Sequence, residues 1–180
     1  MKLLLTFLLL ALGGLHSALA SFHLWDIEEV YSNADGSVQF VRLSSKSDGQ
    51  GLLTGHALTF TGPGGPRTFT FPTNLASNAT ANRSLLIGTS TLQSLYGIVP
   101  DYVIPASFFA RGAGANLDFA SADSVSLAAL PLDGTKSLNA RSGDDNPSRI
   151  LVKGNAEAVN FAGDRFVIGA FGEFGGAYRA

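Results

Sequence analysis

Short runs of alternating apolar and polar residues recur along the chain, whereas long stretches with the 3.6-residue period of an amphipathic helix are missing. Gly, Pro, Asn and Asp, which turns favour, separate these runs. Several short strands at this spacing are typical of an all-β sandwich or barrel. The pattern predicts strands over residues 24–31, 38–43, 52–61, 68–71, 85–88, 116–120, 124–130 and 166–171.

Turn signals lie between the predicted strands. Residues 99–114 and 139–147 are predicted as loops, the first packed and the second polar and exposed. Three Asp-Gly pairs each offer a glycine for the positive φ of a tight turn. These pairs are Asp35-Gly36, Asp48-Gly49 and Asp133-Gly134.

One short helix is predicted over residues 90–96. Thr89 or Ser90 is a suitable N-cap, and Gly97 is a suitable stop. Its predicted apolar face consists of Leu92, Leu95 and Tyr96.

The stretch of residues 24–43 predicts a hairpin that places two charges among large apolar side chains. If Asn33 pairs with Val38 across the turn, Arg42 falls opposite Glu29. We predict a structural ion pair, because each charge would offset the cost of burying the other. The same alternation predicts one shared face for the odd positions of the first strand, Trp25, Ile27, Glu29 and Tyr31.

The first twenty residues have the pattern of a secretory signal peptide. Lys2 supplies the basic start, residues 3–12 are apolar, and Ala18 and Ala20 form the small-x-small recognition site of signal peptidase. The alternative, a membrane anchor, is disfavoured because the apolar run is shorter than the ~20 residues of a spanning helix. We therefore predict cleavage after Ala20, which leaves residues 21–180 as a single domain with no further membrane span.

Composition narrows the compartment and the partners. The chain has no cysteine, which is more typical of a bacterial exported protein than of a small disulfide-stapled eukaryotic one. Loss of Lys2 takes the formal charge from −2 to −3, and the basic residues are scattered. Because phosphate backbones need clustered cations, nucleic-acid binding is disfavoured. The predicted location is the periplasm, the cell surface or the medium.

Several segments together resemble the lamin tail domain, an immunoglobulin-like β-sandwich family that also occurs in exported bacterial proteins. The resemblance covers roughly residues 24–139, and the segments that carry it are IEEVYSNADGSVQFVRL, LTGHALTFTG, RTFTFPTNL, LLIGT and SVSLAALPLDGTKSLN. The most specific part is the E-V-x-S-N turn followed by an F-x-x-L strand. The family pattern usually has Glu-Leu where this chain has Arg42-Leu43, a departure that suits the predicted ion pair. The resemblance implies a non-catalytic interaction or accessory module without a cofactor.

Candidate chemistry in the predicted domain centres on two histidines, His23 and His56. Either could join a serine and Asp26 or Asp101 in a hydrolytic triad, but no G-x-S-x-G elbow is present. The two histidines also lack the flanking ligands of a typical zinc site. Ordinary structural histidines are therefore the favoured interpretation.

Calcium is a better metal candidate than zinc, since two polar loops concentrate Asp, Asn and Gly. They are SNADGS at 32–37 and SGDDNPS at 142–148, and neither has EF-hand spacing. The leading interpretation is an exported binding or structural module with an unknown protein or glycan partner and no catalytic residue, cofactor or metal. The alternatives are a secreted hydrolase using His23 or His56, and a calcium-stabilised carbohydrate-binding module with Trp25 and Tyr31 exposed.

Overall fold

The computed structural model describes residues 22–110, 114–141 and 149–169. Within these ranges the chain forms eleven strands and one short helix, which confirms the predicted all-β class. The strands are β1 (Trp25–Ser32), β2 (Gln39–Ser45), β3 (Ala57–Gly62), β4 (Gly65–Thr70), β5 (Arg83–Gly88), β6 (Tyr102–Val103), β7 (Ala115–Phe119), β8 (Asp123–Leu127), β9 (Lys136–Asn139), β10 (Val152–Val159) and β11 (Arg165–Ile168), and the helix is α1 (Thr91–Tyr96).

The described strands form two sheets. One has seven strands in the order β11-β10-β9-β1-β2-β5-β6, and the other has four in the order β4-β3-β7-β8. All named pairings are antiparallel except β5 with β6. Successive hairpins alternate between the sheets, because β1-β2 belongs to the large sheet, β3-β4 to the small sheet and β5 to the large sheet again.

The main core lies between the two sheets. It contains 22 buried hydrophobic residues, and its aromatic side chains meet mainly edge to face, as Phe71 does with Tyr102 and with Phe119. This geometry is the preferred one for aromatic pairs and adds to the free energy of burying their area. Strands β2, β3 and β7 each contribute two alternate residues to this core: Val41 and Leu43, Leu58 and Phe60, and Leu117 and Phe119.

A β-bulge divides the first strand into two faces. The register of β1 against β2 shifts between Ile27 and Glu29, so that Glu28 is the extra residue. Trp25 and Ile27 therefore point into the main core, whereas Tyr31 belongs to a second cluster. The prediction that Trp25, Ile27, Glu29 and Tyr31 share one face is wrong, because the bulge reverses the side-chain alternation.

The second cluster lies on the other side of the large sheet. It has nine buried residues, from β1, β2, β5, the α1 region and the β10-β11 hairpin. Tyr96 of α1 stacks on Phe166 of β11 with their ring centroids 4.8 Å apart. Strands β10 and β11 are the last two strands of the large sheet, and this end of the sheet folds back over β2 and β5. The hairpin and α1 thus cover these strands as a third layer.

Most predicted elements are present with shifted ends. The helix begins after Ser90 and ends at Gly97 as expected, but Leu95 is 62% exposed, so it is not part of the buried face. The predicted strand at 52–61 starts only at Ala57, and the predicted loop at 99–114 contains β6. Strands β9 and β10 were not predicted.

The described chain holds no helix long and apolar enough to cross a membrane.

Candidate functional site

Glu29 and Arg42 lie directly opposite each other on β1 and β2. Both Nε and Nη2 of Arg42 donate to Oε2 of Glu29, at 3.2 Å and 3.1 Å. The side chain of Glu29 is fully buried and that of Arg42 is 19% exposed. The structure therefore forms the ion pair that the hairpin register predicts.

The other oxygen of Glu29 joins two layers of the fold. Its Oε1 accepts a hydrogen bond from the main-chain N–H of Glu157 on β10, at 2.8 Å. Burial raises the pKa of Glu29, while the charge of Arg42 and the hydrogen bonds from Ser137 and Glu157 act in the opposite direction. The carboxylate is thus used to attach the β10-β11 hairpin to the central strands.

A second buried ion pair, between Asp123 and Arg149, was not predicted. Nη1 and Nη2 of Arg149 donate to Oδ1 and Oδ2 of Asp123, at 3.0 Å and 2.5 Å. The same two side chains bond both main-chain groups of Ile27, its N–H to Asp123 at 2.6 Å and its C=O to Arg149 at 2.9 Å. The pair therefore satisfies the main-chain N–H and C=O of Ile27 beside the bulge, as a neighbouring strand would. No local sequence signal indicates it, since the partners are 26 residues apart.

Asp101 ties the third layer to the edge of the large sheet. Its Oδ2 accepts from the N–H of Leu86 at 2.8 Å and from the N–H of Phe161 at 2.9 Å. Burial raises the pKa of Asp101, and these two hydrogen bonds oppose the rise. This candidate triad aspartate is accordingly a junction between β5 and the β10-β11 turn.

The two histidines are brought together by Phe22. The centroid of the Phe22 ring is 4.1 Å from that of His23 and 3.4 Å from that of His56. Burial and the nearby charge of His23 lower the pKa of His56. His23 is exposed in the turn before β1, and His56 immediately precedes β3. An aromatic cluster with two imidazoles therefore marks the end of the sandwich where the described chain begins.

The histidine cluster differs from both arrangements considered from the sequence. Asp101 bonds Leu86 and Phe161, and Asp26 lies on β1 among Asp123, Arg149 and Glu28. Across the described ranges, no three His, Cys, Asp or Glu side chains form a group that could hold a metal ion. The cluster thus groups the two imidazoles around the ring of Phe22, and neither Asp26 nor Asp101 belongs to it.

Trp25 and Tyr31 are both fully buried. Trp25 donates its indole N–H to the carbonyl of Gln50 at 2.8 Å, and Tyr31 donates its hydroxyl to the carbonyl of Gly134 at 2.8 Å. The carbohydrate-binding alternative required these two rings to be exposed. The structure contradicts that requirement, because both rings serve as core residues with satisfied polar ends.

The SNADGS segment forms the β1-β2 turn. Oδ1 of Asp35 accepts from both the N–H and the hydroxyl of Ser37, which lowers the pKa of Asp35. Oδ1 of Asn33 accepts from the N–H of Val38 at 3.0 Å. Oδ1 of Asp35 and Oδ1 of Asn33, in the segment considered for calcium, are therefore engaged in holding the turn.

The outer face of the four-stranded sheet is polar and rich in hydroxyl groups. Thr59 of β3 lies opposite Thr68 of β4 on one side and Asp118 of β7 on the other. Asn116 and Ser124 exchange hydrogen bonds at 3.1 Å and 3.3 Å across β7 and β8. This face, which we call the hydroxyl face, consists of Thr59, Thr61, Thr68, Thr70, Asn116, Asp118, Ser124 and Ser126.

Several predictions concern residues outside the described ranges. They are the signal peptide of residues 1–20 with Ala18 and Ala20, the polar loop SGDDNPS at 142–148, and the end of the predicted strand at 166–171. These remain predictions from the sequence.

Comparisons with protein-family models, with curated proteins and with solved structures gave no match to this chain.

Proposed function

We propose that this chain is an exported, non-catalytic β-sandwich module with a binding or structural role at the bacterial cell envelope or outside the cell. In this proposal, signal peptidase cleaves after Ala20 and residues 21–180 form one domain. The fold is immunoglobulin-like and related to the lamin tail domain.

The observation that best supports the proposal is that the buried carboxylates bond the main chain of other elements. Glu29, Asp123 and Asp101 all accept hydrogen bonds from main-chain N–H groups of other elements. Arg149 and Arg42 in turn neutralise two of these carboxylates. A general acid or base must instead reach the proton that it transfers to or from a substrate. These buried groups are arranged to hold strands together, which supports a scaffold over an enzyme.

The connections between strands support the immunoglobulin-like interpretation. The chain passes from one sheet to the other between β2 and β3, β4 and β5, β6 and β7, and β8 and β9. Such repeated crossing is typical of Greek-key sandwiches. The segments that carry the resemblance to the lamin tail domain contribute to β1, β2, β3, β4, β5, β8 and β9.

A thermal-shift panel on the protein starting at Ser21 tests the binding role. It includes EDTA, calcium, soluble glycans, short DNA and peptidoglycan fragments. A ligand at 100 times its dissociation constant adds ~2.7 kcal/mol to the free energy of unfolding. For a domain of this size that raises the Tm by roughly 5–10 °C. A shift with a glycan or a peptidoglycan fragment would support a binding module and define its ligand class, whereas a flat panel would favour a structural role.

The hydroxyl face is the first surface to test if a ligand is found. Thr68→Arg and Ser126→Arg each place a long charged side chain on this face, at exposed positions. Ser94→Arg on α1 is the matched control, because Ser94 is also exposed but lies on the opposite side of the large sheet. A shift lost in the first two variants and kept in the control would locate the ligand on the hydroxyl face.

The hydrolase alternative is tested directly with His23→Ala and His56→Ala. The purified protein is assayed against ester, amide and glycoside substrates. Turnover that both substitutions abolish, in variants whose Tm is unchanged, would overturn the non-catalytic proposal.

A further inference from the structure

The edge strand β4 of the small sheet has a regular order of residues. Residues 66–72 read PRTFTFP, so Pro66, Thr68, Thr70 and Pro72 form one alternate row. All four residues are exposed. Strand β4 pairs with β3 on one side, and no strand in the described ranges pairs with its other side. This row of residues therefore determines what the free edge offers to a second strand.

The hairpin register shows which main-chain groups point to the free edge. Gly62 pairs with Gly65 across a two-residue turn, and Phe71 donates its N–H to the carbonyl of His56 at 2.9 Å. Along an antiparallel ladder, pairs that exchange hydrogen bonds alternate with pairs that do not. The main-chain groups of the odd-numbered residues of β4 therefore bond β3, whereas those of the even-numbered residues point away from it.

The two prolines leave only two N–H donors in this outward row, those of Thr68 and Thr70. Proline has no N–H to donate, so sheets accept it where the missing donor faces away from a partner strand. We infer that Pro66 and Pro72 block the addition of a second strand to the free edge of β4. This inference goes beyond the proposed function and depends neither on export nor on a ligand.

The sequence between the prolines indicates why this edge needs protection. Threonine and phenylalanine favour extended strands, and a long exposed edge is a template for association. Phe69 and Phe71 pack toward the main core, which holds the segment in place. Strand β4 has six residues, whereas the edge strands β6, β11 and β8 have two, four and five. On β8, Ile150 bridges Ser126 and occupies part of that edge. Strand β4 is thus the longest edge strand in the described part of the chain.

The test replaces both prolines with threonine, the residue at the two positions between them. With Pro66→Thr and Pro72→Thr together, all four outward positions carry an N–H. We expect this double variant to associate through β4 as its concentration rises, with a second copy of the chain as the added strand. Sedimentation velocity should show a mass of at least a dimer. Hydrogen exchange followed by NMR should be slower at Thr68 and Thr70 than in the parent protein.

Two further variants separate edge pairing from other causes of association. Pro63→Thr is the matched control, because Pro63 is also exposed on this hairpin but lies in its turn. This variant should keep the mass of the parent protein. Addition of Thr68→Pro to the double variant removes an outward N–H without breaking a hydrogen bond to β3. It should restore the mass of the parent protein.

The Tm of each variant shows whether it is folded. If the double variant does not fold, Pro72→Thr alone takes its place, since it leaves β4 and its turn unchanged, and we expect it to associate in the same way. A folded variant that keeps the parent's mass at every concentration would refute the inference, as would association that survives Thr68→Pro. Slow exchange of Thr68 and Thr70 in the parent protein would also refute it, because the edge would then already be paired.

Discussion

At the scale of single residues, the fold depends on charges that are buried in pairs. Glu29 is fully buried, and its partner Arg42 supplies the neutralising charge. We expect Arg42→Ala to lower the free energy of unfolding by about 3–5 kcal/mol, because it leaves a buried carboxylate without compensation. Glu29→Ala together with Arg42→Ala should cost less than Arg42→Ala alone. Urea denaturation of the two single variants and the double variant measures the coupling.

The pH dependence of Arg42→Ala checks the cause of its instability. Burial already raises the pKa of Glu29, and loss of Arg42 removes the main opposing charge. Protonation of Glu29 at lower pH should therefore reduce the cost of Arg42→Ala relative to the parent protein. Simple additivity in the double variant, or a cost that does not change with pH, would contradict the pairing argument.

Arg149 is predicted to be more sensitive to conservative replacement than Arg42. Its guanidinium contacts both oxygens of Asp123 and also the carbonyl of Ile27. Arg149→Lys keeps the charge but cannot make all three contacts, so we expect a loss of about 1–2 kcal/mol. Arg149→Leu should cost about 3–5 kcal/mol, because the carboxylate of Asp123 stays buried.

Lys153→Ala is the control for the Arg149 variants. The side chain of Lys153 is 60% exposed in its ion pair with Asp133, so its removal should cost less than about 1 kcal/mol. Chemical denaturation of all three variants gives the comparison. Equal stability of Arg149→Lys and the parent protein would show that charge alone, and not the three-way contact, holds the bulge.

The two ion pairs differ in how far the sequence can predict them. Glu29 and Arg42 lie on one hairpin, where the turn at Asn33 and Val38 sets the register that brings them together. Asp123 and Arg149 meet through the packing of distant segments, and their joint target is the main chain of Ile27 at a bulge. Neither the bulge nor this pair has a local signal.

At the scale of elements, the β10-β11 hairpin is predicted to open before the sandwich. Its cluster has nine buried residues against 22 in the main core, and it includes the small Ala156 and Ala158. Because little apolar area holds this layer, its amides should exchange through a local opening that costs less than global unfolding. Hydrogen exchange followed by mass spectrometry compares residues 152–168 with β1 and β2.

Ile168→Ala and Val125→Ala separate local from global effects. Ile168 is 4% exposed in the second cluster, and Val125 is 1% exposed in the main core. Both should cost about 2–5 kcal/mol where they act, as truncations in a core do. We expect Ile168→Ala to speed exchange in the hairpin with little change in β1 and β2, whereas Val125→Ala should affect every strand. Equal protection of the hairpin and the central strands would refute an independent third layer.

The hairpin also shows why β10 escapes prediction. Its sequence VKGNAEAV contains Gly154 and Asn155, and its buried residues include two alanines, which give little hydrophobic contrast. Strands β1 and β2 carry large apolar side chains at most buried positions and are readily predicted. An element that is buried through small side chains against another layer depends on tertiary packing, which periodicity does not report.

At the scale of the whole molecule, Tyr31 connects the three layers and makes the fold sensitive to alkali. It lies in the second cluster on β1, stacks on Phe40 at 5.1 Å, and donates its hydroxyl to Gly134 in the segment between β8 and β9. Burial, followed by the effect of Tyr96, raises the pKa of Tyr31 well above its usual range. The folded protein therefore keeps this phenol neutral at a pH where the unfolded chain ionises it.

The sign of the resulting pH dependence follows from proton binding. Between the pKa of an unfolded tyrosine, about 10, and that of folded Tyr31, the native state binds more protons than the unfolded state. The free energy of unfolding therefore falls as the pH rises above about 10.

Tyr31→Phe should lower stability by about 1 kcal/mol at neutral pH, since it removes the hydrogen bond to Gly134. It should also make the alkaline decline shallower than in the parent protein. Tyr102→Phe should also make the alkaline decline shallower, but by less than Tyr31→Phe, because burial raises the pKa of Tyr102 to a smaller extent and its hydroxyl donates to Thr73. Urea denaturation at neutral and alkaline pH would contradict this role of Tyr31 if Tyr31→Phe declined as steeply as the parent protein.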